Sequence, residues 1–226
     1  MGKHYSINEA ASISIRCAAD YKKSLENKNY IFIYQDRTTQ KIEFFEAVFL
    51  PRHFMHLTGL SYTESYRKEL GLKEKEQGAR NFYRECLSKT INVKNIHEKA
   101  DGTTSLKLEA LPQLINFLKM ANMTVTYSGN RPYLACDRLA GTVKCALGFT
   151  KEDNGFFAPS SCLKEDIRNF GDSPSKILAI LTKNISDPMY TTIKYVAKKV
   201  PLDKLNLPES LEKKISLIEY RPSKNS

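Results

Sequence analysis

Apolar residues recur at helical spacing from Ile7 to Glu26, with Ala10, Ile13, Cys17 and Tyr21 on one stripe. The run ends before Asn27 and Asn29, which favour a turn, and so predicts a first helix. Two β-branched and aromatic runs follow, Tyr30 to Asp36 and Lys41 to Leu50, and the RTTQ between them suits a hairpin loop. In FLPRHFMHLTGL, Pro51 fits the first position of a helix and Gly59 its end, which predicts a strand-to-helix corner. Helices are expected around Tyr62 to Leu70 and Ala79 to Lys89, a polar turn near Ala100 to Thr103, and a stronger helix from Leu108 to Ala121. That last helix has Leu111, Leu114, Ile115 and Leu118 on one face.

From Met123 onward the pattern changes to short strands: MTVTY, a turn at SGNRP, then LACDRLAG, TVKCALGF, GFFAPSS, SKILAILT and YTTIKYVAKKV. Between two of them SSCLKEDIRN reads as a short helix capped by Ser160 or Ser161. The expected class is α+β: a small curved antiparallel sheet in the C-terminal half, with the N-terminal helices packed on one face. No Gly/Ser/Pro-rich linker divides the chain, so a single domain is expected over residues 1–205, followed by a tail, residues 206–226.

Composition adds a class of partner. The chain has 226 residues, 41% of them hydrophobic, enough for a sizeable core, and carries a net charge of +10 with a pI of about 9.3. Such a field attracts polyanions, RNA, DNA or an anionic membrane surface, although a lysine-rich surface also serves solubility alone. Five cysteines form no CxxC pair and no zinc-type spacing, and read as reduced core residues. The N-terminal segment lacks the apolar core of a secretory signal, and no run of about 18 apolar residues occurs, so no membrane association and a cytoplasmic location in a bacterial host are expected. MGKHYS matches the short myristoylation pattern at Gly2 and Ser6, as many unrelated chains do by chance.

Motif absences then remove whole chemistries. There is no phosphate loop, dinucleotide fingerprint, HExxH or GxSxG, and no compact acidic cluster for two metals, so neither a metal nor a cofactor is expected. Histidine, arginine, lysine and hydroxyl groups remain, the tools for cleaving RNA without a metal. His53 and His56 fall on neighbouring positions of one helix face, with Arg52 and Thr58 placed to help hold a phosphate; each histidine taken singly is more often a packed residue. Two-residue alternation puts Lys144 on the polar face of one strand, and Lys194 with Tyr190 and Thr192 on that of another. With Arg138 nearby they form either a cationic groove floor or an ordinary solvent face. Ser160 and Ser161 either bind a phosphate at a helix start or simply cap it. His4 and His97 have no convergent neighbours.

The chain resembles a phage-borne branch, the fourth group, of the barnase, EndoU, colicin and RelE-type nuclease superfamily, found in prophages and mobile elements. The likeness rests on Phe49, Phe54, His56, Leu57, Thr58 and Gly59 in the pattern Phe-x-x-x-x-Phe-x-His-Leu-Thr-Gly. The LGF strand, FFAPSSCLKEDI and a strand pair ending near Tyr195 then follow in order. It implies a compact RNase-like domain with a metal-independent site: His56 as general base or acid, His53 as the second proton-transfer group, Lys144 and Lys194 stabilising the phosphorane, and Ser160 or Ser161 touching phosphate. RNA is the implied substrate, and an immunity or antitoxin protein a possible partner. The competing reading is a non-catalytic binder of nucleic acid or protein that acts against host machinery with the same basic face; an enzyme of small phosphorylated ligands is a third.

Overall fold

The computed structural model describes residues 4–63, 74–129 and 134–217. Its architecture is α+β, but the sheet is a barrel. The hydrogen-bonded strand order is β1 (Lys28–Gln35), β2 (Ile42–Phe49), β8 (Phe157–Leu163), β7 (Ala146–Lys151), β6 (Arg138–Gly141), β5 (Met123–Thr126), β9 (Ser175–Asn184) and β10 (Thr192–Val196). A further pairing of β1 with β9, from Lys28↔Asn184 to Gln35↔Lys176, closes the first seven into a ring and leaves β10 on the outer edge of β9. The N-terminal hairpin is therefore part of the same sheet as the late strands. The expected small curved sheet of the C-terminal half is corrected by this closure, because strand alternation gives the faces of a strand but not its partners.

Strand β1 shows what closure demands. Tyr30, Phe32 and Tyr34 enter the main core while Ile31 and Ile33 enter a second one on the opposite face, so both faces are buried. Phe32 stacks on Phe45 with centroids 4.5 Å apart, and Phe149 meets both edge-on. Helix α1 (Ile7–Ser24) starts at a capping box between Ser6 and Glu9 and buries Ala10, Ser14, Cys17 and Tyr21 into the main core. The second core is covered by Leu202, Leu211 and Ile215 of the C-terminal segment, which Glu46 anchors by accepting bonds from Tyr190 at 2.8 Å and Lys214 at 2.6 Å.

Several expected elements shift. The helix expected over Leu108 to Ala121 is split into α4 (Thr104–Ala110) and α5 (Leu114–Met120) by a 3-10 turn at Leu111–Gln113, because Pro112 has no N–H to continue the ladder. Tyr62 lies in β3 (Leu60–Tyr62), which pairs with β4 (Ile96–Glu98); the rest of the helix expected around Tyr62 to Leu70 falls almost entirely outside the described residues. The helix expected at Ala79 to Lys89 is α3 (Glu74–Ser88). SSCLKEDIRN is not a helix at its start: Ser160 and Ser161 lie in β8, and only Ile167–Phe170 forms a 3-10 turn. Ladder pairing with β7 wins over the local capping signal there.

Candidate active site

Strand β2 delivers the chain to Leu50, and a 3-10 turn at Pro51–His53 leads into α2 (Phe54–Thr58). Phe54 and Leu57 are fully buried, and Tyr21 fastens the corner by donating its hydroxyl to the Leu50 carbonyl at 2.9 Å. Thr58 turns inward: it is fully buried, donates to the Met55 carbonyl at 2.7 Å and accepts from Leu60 N–H at 3.1 Å. Gly59 has φ 72, and a Cβ there would lie 2.7 Å from Thr104 Cα, so this glycine both ends α2 and lets α4 close against it. The His-Leu-Thr-Gly stretch thus builds a corner: one side chain for a cavity, one for the core, one to lock the turn, and none where a helix must approach.

The cavity beside this corner has a volume of about 710 Å³. Arg52, His53 and His56 line one side, Lys99, Asp101 and Lys107 another, and Thr150, Glu152, Ser160 and Ser161 of the barrel a third. Arg52 donates to Glu152 Oε1 at 2.8 Å, and His53 Nε2 lies 3.4 Å from the same oxygen, too long for a strong hydrogen bond. Nδ1 of His53 is 3.2 Å from the Leu50 N–H and 3.1 Å from the Val48 carbonyl; it can serve only one of them at a time, and the Leu50 bond puts the ring proton on Nε2, facing Glu152. Burial, then repulsion from Arg52, lowers the His53 pKa against the pull of Glu152. Burial raises the Glu152 carboxyl, but Arg52 and His53 outweigh it and hold it below the usual range.

His56 is open to solvent on the cavity wall. Lost hydration within the concavity, then the charges of Lys99, His53, Lys107 and Arg52, push its pKa down to about 4. Its imidazole is therefore neutral at neutral pH and able to accept a proton. Asp101 is pulled up by burial and more strongly down by bonds from Thr103 N–H and Oγ1, at 2.9 Å and 2.8 Å, with Lys107 and Lys99 adding to the fall. Among the described residues no group of three or more His, Cys, Asp or Glu is placed to hold a metal ion.

Of the residues singled out in the sequence, Arg52, His53, His56, Ser160 and Ser161 meet in this cavity, and Lys144, Lys194, Arg138, Thr192 and Thr58 do not line it. Lys144 lies on the tight turn joining β6 to β7, exposed, rather than in a strand; Gly141 permits that turn, since a Cβ there would collide with the Cys145 carbonyl. Lys194 is the extra residue of a bulge in β10, where Ile193 pairs with Leu181 and Tyr195 with Ile180. The bulge breaks the alternation, and Tyr190 is wholly buried instead of lining a groove. Arg138 stacks over Tyr34 and Phe45, 5.1 Å and 5.3 Å from their ring centroids. Thr192 is exposed on β10. The sequence reading missed Glu152, in a hairpin turn, and Lys99 and Asp101, in a polar turn. It also missed Lys107, whose signal was available: Thr104, Lys107, Leu108 and Leu111 share a helical stripe, so a lysine stands at a core position.

The fold is thus a mixed α+β barrel with histidines and cations converging in one cavity. The chain belongs to the phage-Barnase-EndoU-ColicinE5/D-RelE like nuclease4 family, whose model matches residues 15–199. Membership of a nuclease family makes nucleic acid the substrate class. No curated protein and no solved structure matches the chain. Among the described residues no helix is long and apolar enough to cross a membrane.

Proposed function

We propose that the protein is a metal-independent endoribonuclease of a phage or mobile element. His56 removes the 2′-hydroxyl proton, the 2′-oxygen attacks phosphorus, and the bond to the 5′-oxygen breaks, leaving a 2′,3′-cyclic phosphate and a 5′-hydroxyl. The leaving oxygen takes its proton from the minor protonated form of His53, the form that Glu152, 3.4 Å away, favours. Cationic side chains of the cavity, in place of Lys144 and Lys194 outside it, stabilise the phosphorane. The observation that supports this most is the meeting of a solvent-accessible neutral histidine with Arg52, Lys99 and Lys107 in one concavity.

Total bacterial RNA, incubated with the protein in the presence of a metal chelator, tests the proposal. Cleavage that stops when the 2′-hydroxyl at the scissile position is replaced by hydrogen is expected. Undiminished cleavage of that substrate, or none of RNA, overturns it; retention of RNA without cleavage would assign a binder. Whether residues 1–205 act as one unit is tested by removing the remainder and reading melting temperature beside cleavage, since Leu211 and Ile215 pack on the second core. Any immunity or antitoxin partner is expected to cover the cavity mouth.

A further inference from the structure

Lys107 is 5% exposed, yet it lines the cavity. Its ammonium donates to the His56 carbonyl at 3.4 Å and to the Ser160 carbonyl at 3.3 Å, both longer than ordinary N–H···O bonds. An ammonium has three donors, so two long bonds leave it under-used. Among the described residues no carboxylate lies within ion-pair distance of it; Asp101, the nearest acid by its effect, commits Oδ1 to Thr103. A buried cation without a counter-ion is costly and calls for an anion from elsewhere.

Ser160 carries a second sign of the same vacancy. It is the extra residue of a bulge in β8, where Gly148 pairs with Ser161 and Phe149 with Pro159, and its buried Oγ has no hydrogen-bond partner among the described residues. Bulges of this kind re-aim side chains beside active sites. An unpartnered hydroxyl therefore stands on the residue whose carbonyl already meets the ammonium.

We propose that Lys107 is the phosphate receptor of the cavity, its ammonium taking a non-bridging oxygen of a bound phosphodiester with the Ser160 hydroxyl as second donor. This rests on the nuclease reading of the site. The groups facing the ammonium are Lys99 and Asp101 from the turn before α4, His56 from the corner, and Cys136 and Cys162 from the barrel side. Burial, then Lys99, lowers the Lys107 pKa to about 8, so the receptor loses its charge within reach of ordinary buffers.

The test uses a deoxydinucleotide, which has a phosphodiester but no 2′-hydroxyl, titrated at about pH 6.5 and about pH 9.5 and followed by its phosphorus resonance. The parent protein should bind about tenfold more weakly at the higher pH, as loss of one charge-assisted bond predicts. Lys107→Met should bind about tenfold more weakly at the lower pH and show no further decline. Lys107→Arg, which stays charged and guards against misfolding of the methionine variant, should bind at both. Parent-like affinity in Lys107→Met, a decline that survives in Lys107→Arg, or no binding by the parent overturns the receptor. RNA cleavage is scored separately: binding as expected without cleavage would remove the nuclease reading and keep the receptor, and full cleavage by Lys107→Met would do the reverse.

Discussion

Lys107 and Lys194 carry the same side chain and stand in opposite settings. Lys107 projects from α4 into a concavity, nearly buried, between two backbone carbonyls. Lys194 sits at a bulge on the outermost strand; partial burial, then Lys28 and Lys119, lowers its pKa from among other lysines. Water screens charges on an edge strand, whereas protein walls amplify charge in a cleft. A cation at the edge attracts a polyanion from a distance, while one in the cavity can act on a single phosphate. The same contrast separates His56, in the cavity among cations, from His97, exposed on β4.

The largest effect that would sharpen this contrast is expected from His56→Ala. Removing a general base lowers cleavage about 10²- to 10⁴-fold, and because the ring is exposed the melting temperature should hardly move. A melting temperature that falls in step with activity would make His56 a structural residue. Next comes Gly59→Ala, which forces a left-handed backbone on alanine and pushes a methyl group towards Thr104; it should cost about 2 kcal/mol in chemical denaturation. It should also weaken cleavage by displacing α4. Unchanged stability would mean that α4 gives way freely.

pH provides a smaller but signed effect. A base must be neutral to work, so a depressed His56 pKa extends activity downward: the acid limb of kcat/KM should lie near 4 rather than near the ordinary 6.5. Both histidines are held neutral in the fold, so below about pH 6.5 the unfolded chain binds more protons. Their contribution is complete above that pH and is lost as pH falls, which a series of melts from pH 7 to pH 5 would read. The smallest effect belongs to the lysines outside the cavity. A Lys144→Ala/Lys194→Ala double variant should cleave within about twofold of the parent at low salt, while lowering the salt dependence of RNA binding by at most about two counter-ions. A loss as large as that of His56→Ala would return these lysines to the site.

The corner was legible because its signals are local. Pro51 and Gly59 mark the ends of a short helical segment by their own backbone preferences, and they stand there in the structure. Ser160, expected at a helix start to bind a phosphate or cap the helix, lies instead in β8 and reaches the cavity through a strand bulge. Lys194 departs from the face that two-residue alternation predicts because one extra residue in β10 reverses that alternation. Glu152 was invisible because it joins His53 and Arg52 across about a hundred residues of chain.

The sequence by itself determined the α+β class, the first helix, the hairpin of β1 and β2, the two-histidine corner and the family. The first four follow from periodicity or from backbone preferences of neighbouring residues, which act over a few positions, and the family from the ordered motif of Phe49 to Gly59 and the segments after it. Tertiary structure alone decided that β1 pairs with β9 to close a barrel, that Lys107 rather than Lys144 or Lys194 enters the cavity, and that Glu152 reaches His53. Those are contacts between distant segments, set by packing and ladder register, and no local pattern encodes which partner a strand or a charge will meet.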